Sequence, residues 1–156
     1  MGLSATVGNA NEVARWFSKN AVVVEGPSPR STEVSVHVEP ATPEDEALSV
    51  TWNVSPRAIS SLRRLTSLIN TSSPALVFVN SRSNAETVAQ RMLQISPEVR
   101  IGVHHGSLAA ETREQMENDL KDGKLDAMIC TSSLELGIDV GSIKAVHQIQ
   151  SPRSVD

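Results

Sequence analysis

At 156 residues, with 39% apolar and 21% charged side chains, the chain has room for one full hydrophobic core and lies outside the composition of disordered proteins. No apolar run approaches the roughly 18 residues that cross a bilayer, the amino terminus lacks a basic and apolar leader, and the single cysteine, Cys130, excludes an internal disulfide and points to a reducing, cytoplasmic setting. The net charge of −4 is unevenly spread: residues 57–113 carry seven Arg against three Glu, so a basic face suited to phosphate can coexist with an acidic total. A solvated helix surface is the plainer reading of the same run.

Taken in chain order, Asn11 to Phe17 reads as a short helix with Asn9 or Asn11 as its cap. Ala21 to Val24 reads as a strand, ended by Gly26-Pro27-Ser28-Pro29. Val34, Val36 and Val38 alternate with polar residues, the pattern of a half-exposed strand. Residues 39–47 read as an acidic surface loop. From Ser55 the pattern becomes regular. Ser55-Pro56 opens a helix whose Ile59, Leu62, Leu65, Leu68 and Ile69 recur at helical spacing, and Pro74 stops it. The apolar run Ala75 to Val79 suits a parallel strand covered on both faces. A helix through Ala85 to Leu93, a strand at 99–103, a helix from Glu111 to Leu120, a strand at 126–130 and a last strand at 144–148 complete the series.

This alternation predicts an α/β fold with an open parallel sheet and helices on both faces. Ligands of such sheets sit at the carboxyl ends of the strands, which selects Asn80-Ser81-Arg82, His104-His105-Gly106-Ser107, Thr131-Ser132-Ser133 and Gln150 to Arg153. All four segments are polar and compatible with phosphate. Ser81 can hold a phosphate or simply cap the next helix. The two histidines have no neighbouring cysteine or carboxylate cluster to complete a metal site, so a structural hydrogen bond at the strand end, with Gly106 in a tight turn, accounts better for them. Thr131, Ser132 and Ser133 can cap a helical turn or donate to a nucleic-acid backbone. Asp139, after Gly137, can meet an Arg or a ribose hydroxyl, or stabilise a turn. No Gly-x-x-x-x-Gly-Lys-Ser/Thr loop occurs. Asp45-Glu46 follows no buried strand and is rejected as a magnesium-binding motif.

Ser4-Ala5-Thr6, Val77 to Arg82, His105-Gly106-Ser107 with Arg113, and Thr131 to Asp139 resemble, in order and spacing, successive motifs of superfamily 2 helicases. The wording of residues 2–8, 132–141 and 151–155 is most similar to the large helicase-related (Lhr) branch. The resemblance implies a RecA-like fold. Residues 1–25 would be the carboxyl-terminal remnant of a first RecA-like domain, 26–55 a linker and entry strand, and 56–156 the second RecA-like domain. It implies that Ser4, Ala5 and Thr6 belong to the motif coupling ATP hydrolysis to strand movement. Ser81, Arg82, His105, Gly106, Thr131, Ser132 and Ser133 would contact nucleic acid, and Gly137 and Asp139 would face ATP.

The implied parent is an ATP-dependent helicase using ATP and Mg2+, with single-stranded nucleic acid as partner and DNA favoured over RNA. The arginine-finger segment of the family is expected just after Val155, so this chain alone is expected not to hydrolyse ATP. Met1 ahead of Gly2-Leu3 reads as an introduced start. Other partners implied are the first RecA-like domain and, through an exposed strand edge at Val22 to Val24, a second copy of the chain; no membrane is expected. Two rival readings are a RecA-like interaction module without motor function and a small-molecule-binding doubly wound domain.

Overall fold

The computed structural model describes residues 9–24, 33–132, 134 and 143–150. The chain divides into two units, residues 37–153 and residues 1–36 with 154–156. In the smaller unit, Ala10–Phe17 forms helix α1, and Asn9 caps it by accepting from the Glu12 backbone N–H. Trp16 and Phe17 meet edge to face with ring centroids 5.4 Å apart.

The larger unit begins with a departure from the sequence expectation. Pro43–Trp52 is a helix, α2, rather than an acidic loop. Thr42 is its N-cap, Pro43 takes the first helical position, and Asp45 returns a bond to the Thr42 N–H at 2.8 Å. This capping box satisfies two orphan donors and turns a proline and three acids into a helix start. Asp45 is fully buried and pairs with Arg63 of the following helix at 2.6 Å.

The expected strands at 21–24 and at 34–38 are not formed. A strand needs a hydrogen-bonding neighbour and a face to bury, and Val22, Val24, Val34 and Val36 are all more than 80% exposed. Valines with no face to bury do not by themselves make a strand.

The rest follows the predicted order. Ser55 caps α3 (Pro56–Thr71), which buries Ile59, Leu62, Leu65 and Ile69. Then come β1 (Ala75–Phe78), α4 (Arg82–Ile95), β2 (Ile101–His104), α5 (Ala110–Lys121), β3 (Ala127–Cys130) and β4 (Ala145–Gln148). The four strands are parallel, in the order β2-β3-β1-β4. Strand alternation separates two cores. Ala75, Val77, Ala127 and Ile129 pack with Leu62, Leu65 and Ile69 of α3 and Ala85, Ala89 and Met92 of α4. Leu76 and Met128 point the other way, onto Leu120 and Met116 of α5. Helices therefore cover both faces, as the crossovers require. Gly123, with φ of +71°, ends α5 in the left-handed conformation that glycine adopts without strain. No helix of the described residues is long and apolar enough to cross a membrane.

Candidate nucleic-acid interface

The strand register decides where the polar segments lie. His104, Cys130, Phe78 and Gln148 are aligned across the sheet, so all four strands end at one level. The residues that follow them share one edge, in the order His105 to Ser107, Thr131 and Ser132, Asn80 to Arg82, and Gln150. At about 4.8 Å per strand the row spans roughly 14 Å. Arg82, Gly106, Ser107, Ser132 and Gln150 are exposed, and Thr131 is half-buried.

Each side chain has a local cause for its position. Ser81 is the N-cap of α4, its hydroxyl accepting from Asn84 N–H at 3.2 Å. That cap turns the chain from strand to helix and puts Arg82 on the first turn at the sheet edge. Arg82 Nη1 donates to Ser107 Oγ at 2.9 Å, joining the segment after β1 to the turn after β2. In that turn Leu108 N–H donates to His105 O at 3.0 Å. Thr131 N–H donates to His104 O at 3.3 Å, which continues the β2–β3 pairing past the strand ends.

The two histidines point to opposite faces. His104 Nε2 donates to Glu117 Oε1 of α5, and His105 Nε2 donates to Glu86 Oε1 of α4, both at 2.9 Å. A carboxylate only accepts, so Nε2 carries the proton in each ring. Both rings are buried, and both Nδ1 atoms lack a hydrogen-bond partner. Each ring is thus held by one carboxylate of the helix on its own face, and among the described residues no group of three or more His, Cys, Asp or Glu could hold a metal ion. Arg113, on α5, is half-buried, with its Nε lacking a hydrogen-bond partner. Gln150 has φ of +72°, an uncommon conformation for a non-glycine residue, and its Oε1 accepts from Asn84 Nδ2 at 2.9 Å.

Ser81, Arg82, His105, Gly106, Thr131 and Ser132 therefore meet on one edge. Ser4, Ala5, Thr6, Ser133, Gly137 and Asp139 lie outside the described residues, as do Gly26 to Pro29 and Ser151 to Val155. Sequence reasoning missed Asn84, Glu86 and Glu117, which hold the edge together. The one trace of the first two is that Arg82, Asn84 and Glu86 are all polar at the amino end of an otherwise amphipathic helix.

An edge of this kind on a parallel sheet is shared by many proteins, and comparison with known ones is decisive. Residues 58–156 match the family described as the helicase conserved C-terminal domain. The chain belongs to that family. It is also similar, over 99% of its length and at 34% identity, to the ATP-dependent helicase Lhr-Core of Methanocaldococcus jannaschii. Over its whole length it is 33% identical to the ATP-dependent helicase Lhr-Core protein 2 of Thermococcus barophilus. It spans 18% of each of those proteins. Among solved structures, that of Mycobacterium smegmatis helicase Lhr bound to ssDNA and AMP-PNP matches 97% of the chain, with a TM-score of 0.76 and 38% identity. The chain covers 20% of that protein. This helicase C-terminal domain is thus RecA-like, and its relatives are of the Lhr branch.

Proposed function

We propose that this chain works as the second RecA-like domain of an ATP-dependent helicase of the Lhr branch, and that its carboxyl sheet edge holds the backbone of a single nucleic-acid strand. The observation that carries the reading is the alignment of Arg82, Gly106, Ser107, Thr131 and Ser132 along one exposed edge. Hydroxyls, a loop backbone and one guanidinium suit phosphate and carry no base readout, so binding would be independent of sequence. Of the two nucleic acids we favour DNA, because the similar Lhr structure holds ssDNA.

In this reading residues 1–25 belong to the first RecA-like domain, 26–55 link the two, and 56–156 form the second. Ser4, Ala5 and Thr6 couple hydrolysis to movement, Ser133 adds a backbone contact, and Gly137 and Asp139 face ATP. Bound ATP supplies the phosphoryl group whose hydrolysis drives movement, and this domain's part is to orient the strand and close one side of the cleft. Mg2+ would accompany ATP in the parent helicase; among the described residues of this chain no group of three or more His, Cys, Asp or Glu could hold a metal ion. The protein would act in the cytoplasm, where the buried Cys130 needs no partner.

Fluorescence anisotropy of a labelled oligothymidylate tests the reading. The 156-residue chain should bind weakly, with affinity falling as salt rises. Arg82→Ala should lower the slope of log K against log salt by about 0.7, the share of one phosphate contact on a single strand. Thr131→Ala should weaken binding without altering the slope. Equal binding by all three proteins refutes the site.

A further inference from the structure

The amino end of α4 reaches the loops on both sides of it. Arg82 Nη1 donates to Ser107 Oγ, His105 Nε2 donates to Glu86 Oε1, and Asn84 Nδ2 donates to Gln150 Oε1, each at 2.9 Å. Arg82 and Glu86 are four residues apart and share one helix face, while Asn84 lies about 200° around the helix from them. One face of the helix therefore grips both ends of the turn after β2. The other grips the loop after β4.

These bonds contribute little to the core. The Glu86 side chain is 59% exposed, so water can replace it as acceptor for the buried His105 ring, and the bond adds little stability. A carboxylate on a phosphate-holding edge also opposes binding by charge. What Glu86 does supply is a fixed ring for His105, and hence a fixed path for the His105 to Ser107 turn. Asn84 does the same for Gln150, whose φ of +72° persists only where surrounding contacts hold it.

We propose that Glu86 and Asn84 are positioning residues that pre-set the strand-binding edge, Glu86 through His105 and Asn84 through Gln150. The proposal rests on the reading of that edge as a single-strand surface. It makes a prediction opposite in sign to electrostatics. Removing a negative charge beside bound phosphate should tighten binding, whereas removing a positioning group should weaken it.

The test measures oligothymidylate binding by the 156-residue chain and its Glu86→Ala, Glu86→Gln, Asn84→Ala and Arg82→Ala variants, with melting temperatures alongside. Glu86→Ala and Asn84→Ala should each bind about three- to tenfold more weakly, the range of one lost hydrogen bond, with melting temperatures near wild type. Glu86→Gln keeps an acceptor for His105 and loses the charge, so it should bind as tightly as wild type or more tightly. If wild type binds and Arg82→Ala weakens it, but Glu86→Ala binds as well as wild type or better, this inference alone is overturned. An absence of binding by wild type overturns the edge reading and the inference with it.

Discussion

Asp45 is a single carboxylate whose removal should loosen the junction between α2 and α3. Its Oδ2 accepts from Thr42 N–H at 2.8 Å and from Thr42 Oγ1 at 3.1 Å, while Thr42 Oγ1 accepts from Asp45 N–H at 3.3 Å and from Arg63 Nη1 at 3.0 Å. Asp45 Oδ1 lies 2.6 Å from Arg63 Nη2 without a directed hydrogen bond, so that contact is a charge pairing. Substituting Asp45→Ala removes half of the capping box, a loss of about 1 kcal/mol. It also removes the partner of Arg63. Because Arg63 is 40% exposed, screening holds that loss to about 1 kcal/mol. The sum of about 2 kcal/mol corresponds, for a unit of this size, to a fall in Tm of about 6–10 °C. Asp45→Asn keeps an acceptor for Thr42 N–H and should recover roughly half of the loss. Circular dichroism melts of the three proteins at neutral pH measure this. A Tm for Asp45→Ala within about 2 °C of wild type would show that α2 is not held by this network.

Two further outcomes test the packing and the opposite end of the sheet. A Cβ at Gly102 would lie 2.6 Å from Leu125 Cδ1 and 3.2 Å from Met116 Sδ. Both are flexible side-chain ends, so Gly102→Ala should cost about 1 kcal/mol and Gly102→Val about 2–3 kcal/mol in urea unfolding. At the amino edge, Asp126 accepts from Arg100 N–H at 2.9 Å and from Arg100 Nε at 3.0 Å, and those bonds hold its carboxyl below the usual aspartate range. A depressed folded-state pKa means stability that is present above the unfolded value and lost as pH falls through the folded one. The Tm gap between wild type and Arg100→Met should therefore be full at pH 7 and shrink below about pH 4; a gap that is the same at pH 7 and pH 3 contradicts the pairing.

The sheet was legible because its strands are short apolar runs, covered on both faces, between capped helices. Ala75 to Phe78 and Ala127 to Cys130 can hardly be anything else, and Ser55 and Ser81 mark helix starts through the same hydroxyl geometry. Val22, Val24, Val34 and Val36 carry the same β-forming residue type but find nothing to cover them, a tertiary fact that no local pattern contains. The helix at Pro43 was missed for the reverse reason. Its prolines and acids read as a loop, and only the reciprocal Thr42–Asp45 bonds and the burial of Asp45 against Arg63 make it a helix.

The site was half legible. The rule that ligands gather at the carboxyl ends of parallel strands selected segments that the strand register brings to one edge. Glu86, Glu117 and Asn84 reach it from helix positions whose partners are 13 to 66 residues away, beyond any local pattern.

The claim that this edge holds a nucleic-acid backbone can be read directly from backbone amide shifts of the isotope-labelled chain as unlabelled oligothymidylate is added. Shifts should concentrate at Asn80 to Arg82, His105 to Ser107, Thr131, Ser132 and Gln150, and the amino edge at Arg100, Asp126 and Lys144 should stay silent. Shifts confined to the amino edge or to α1, or none at saturating strand, would contradict the account.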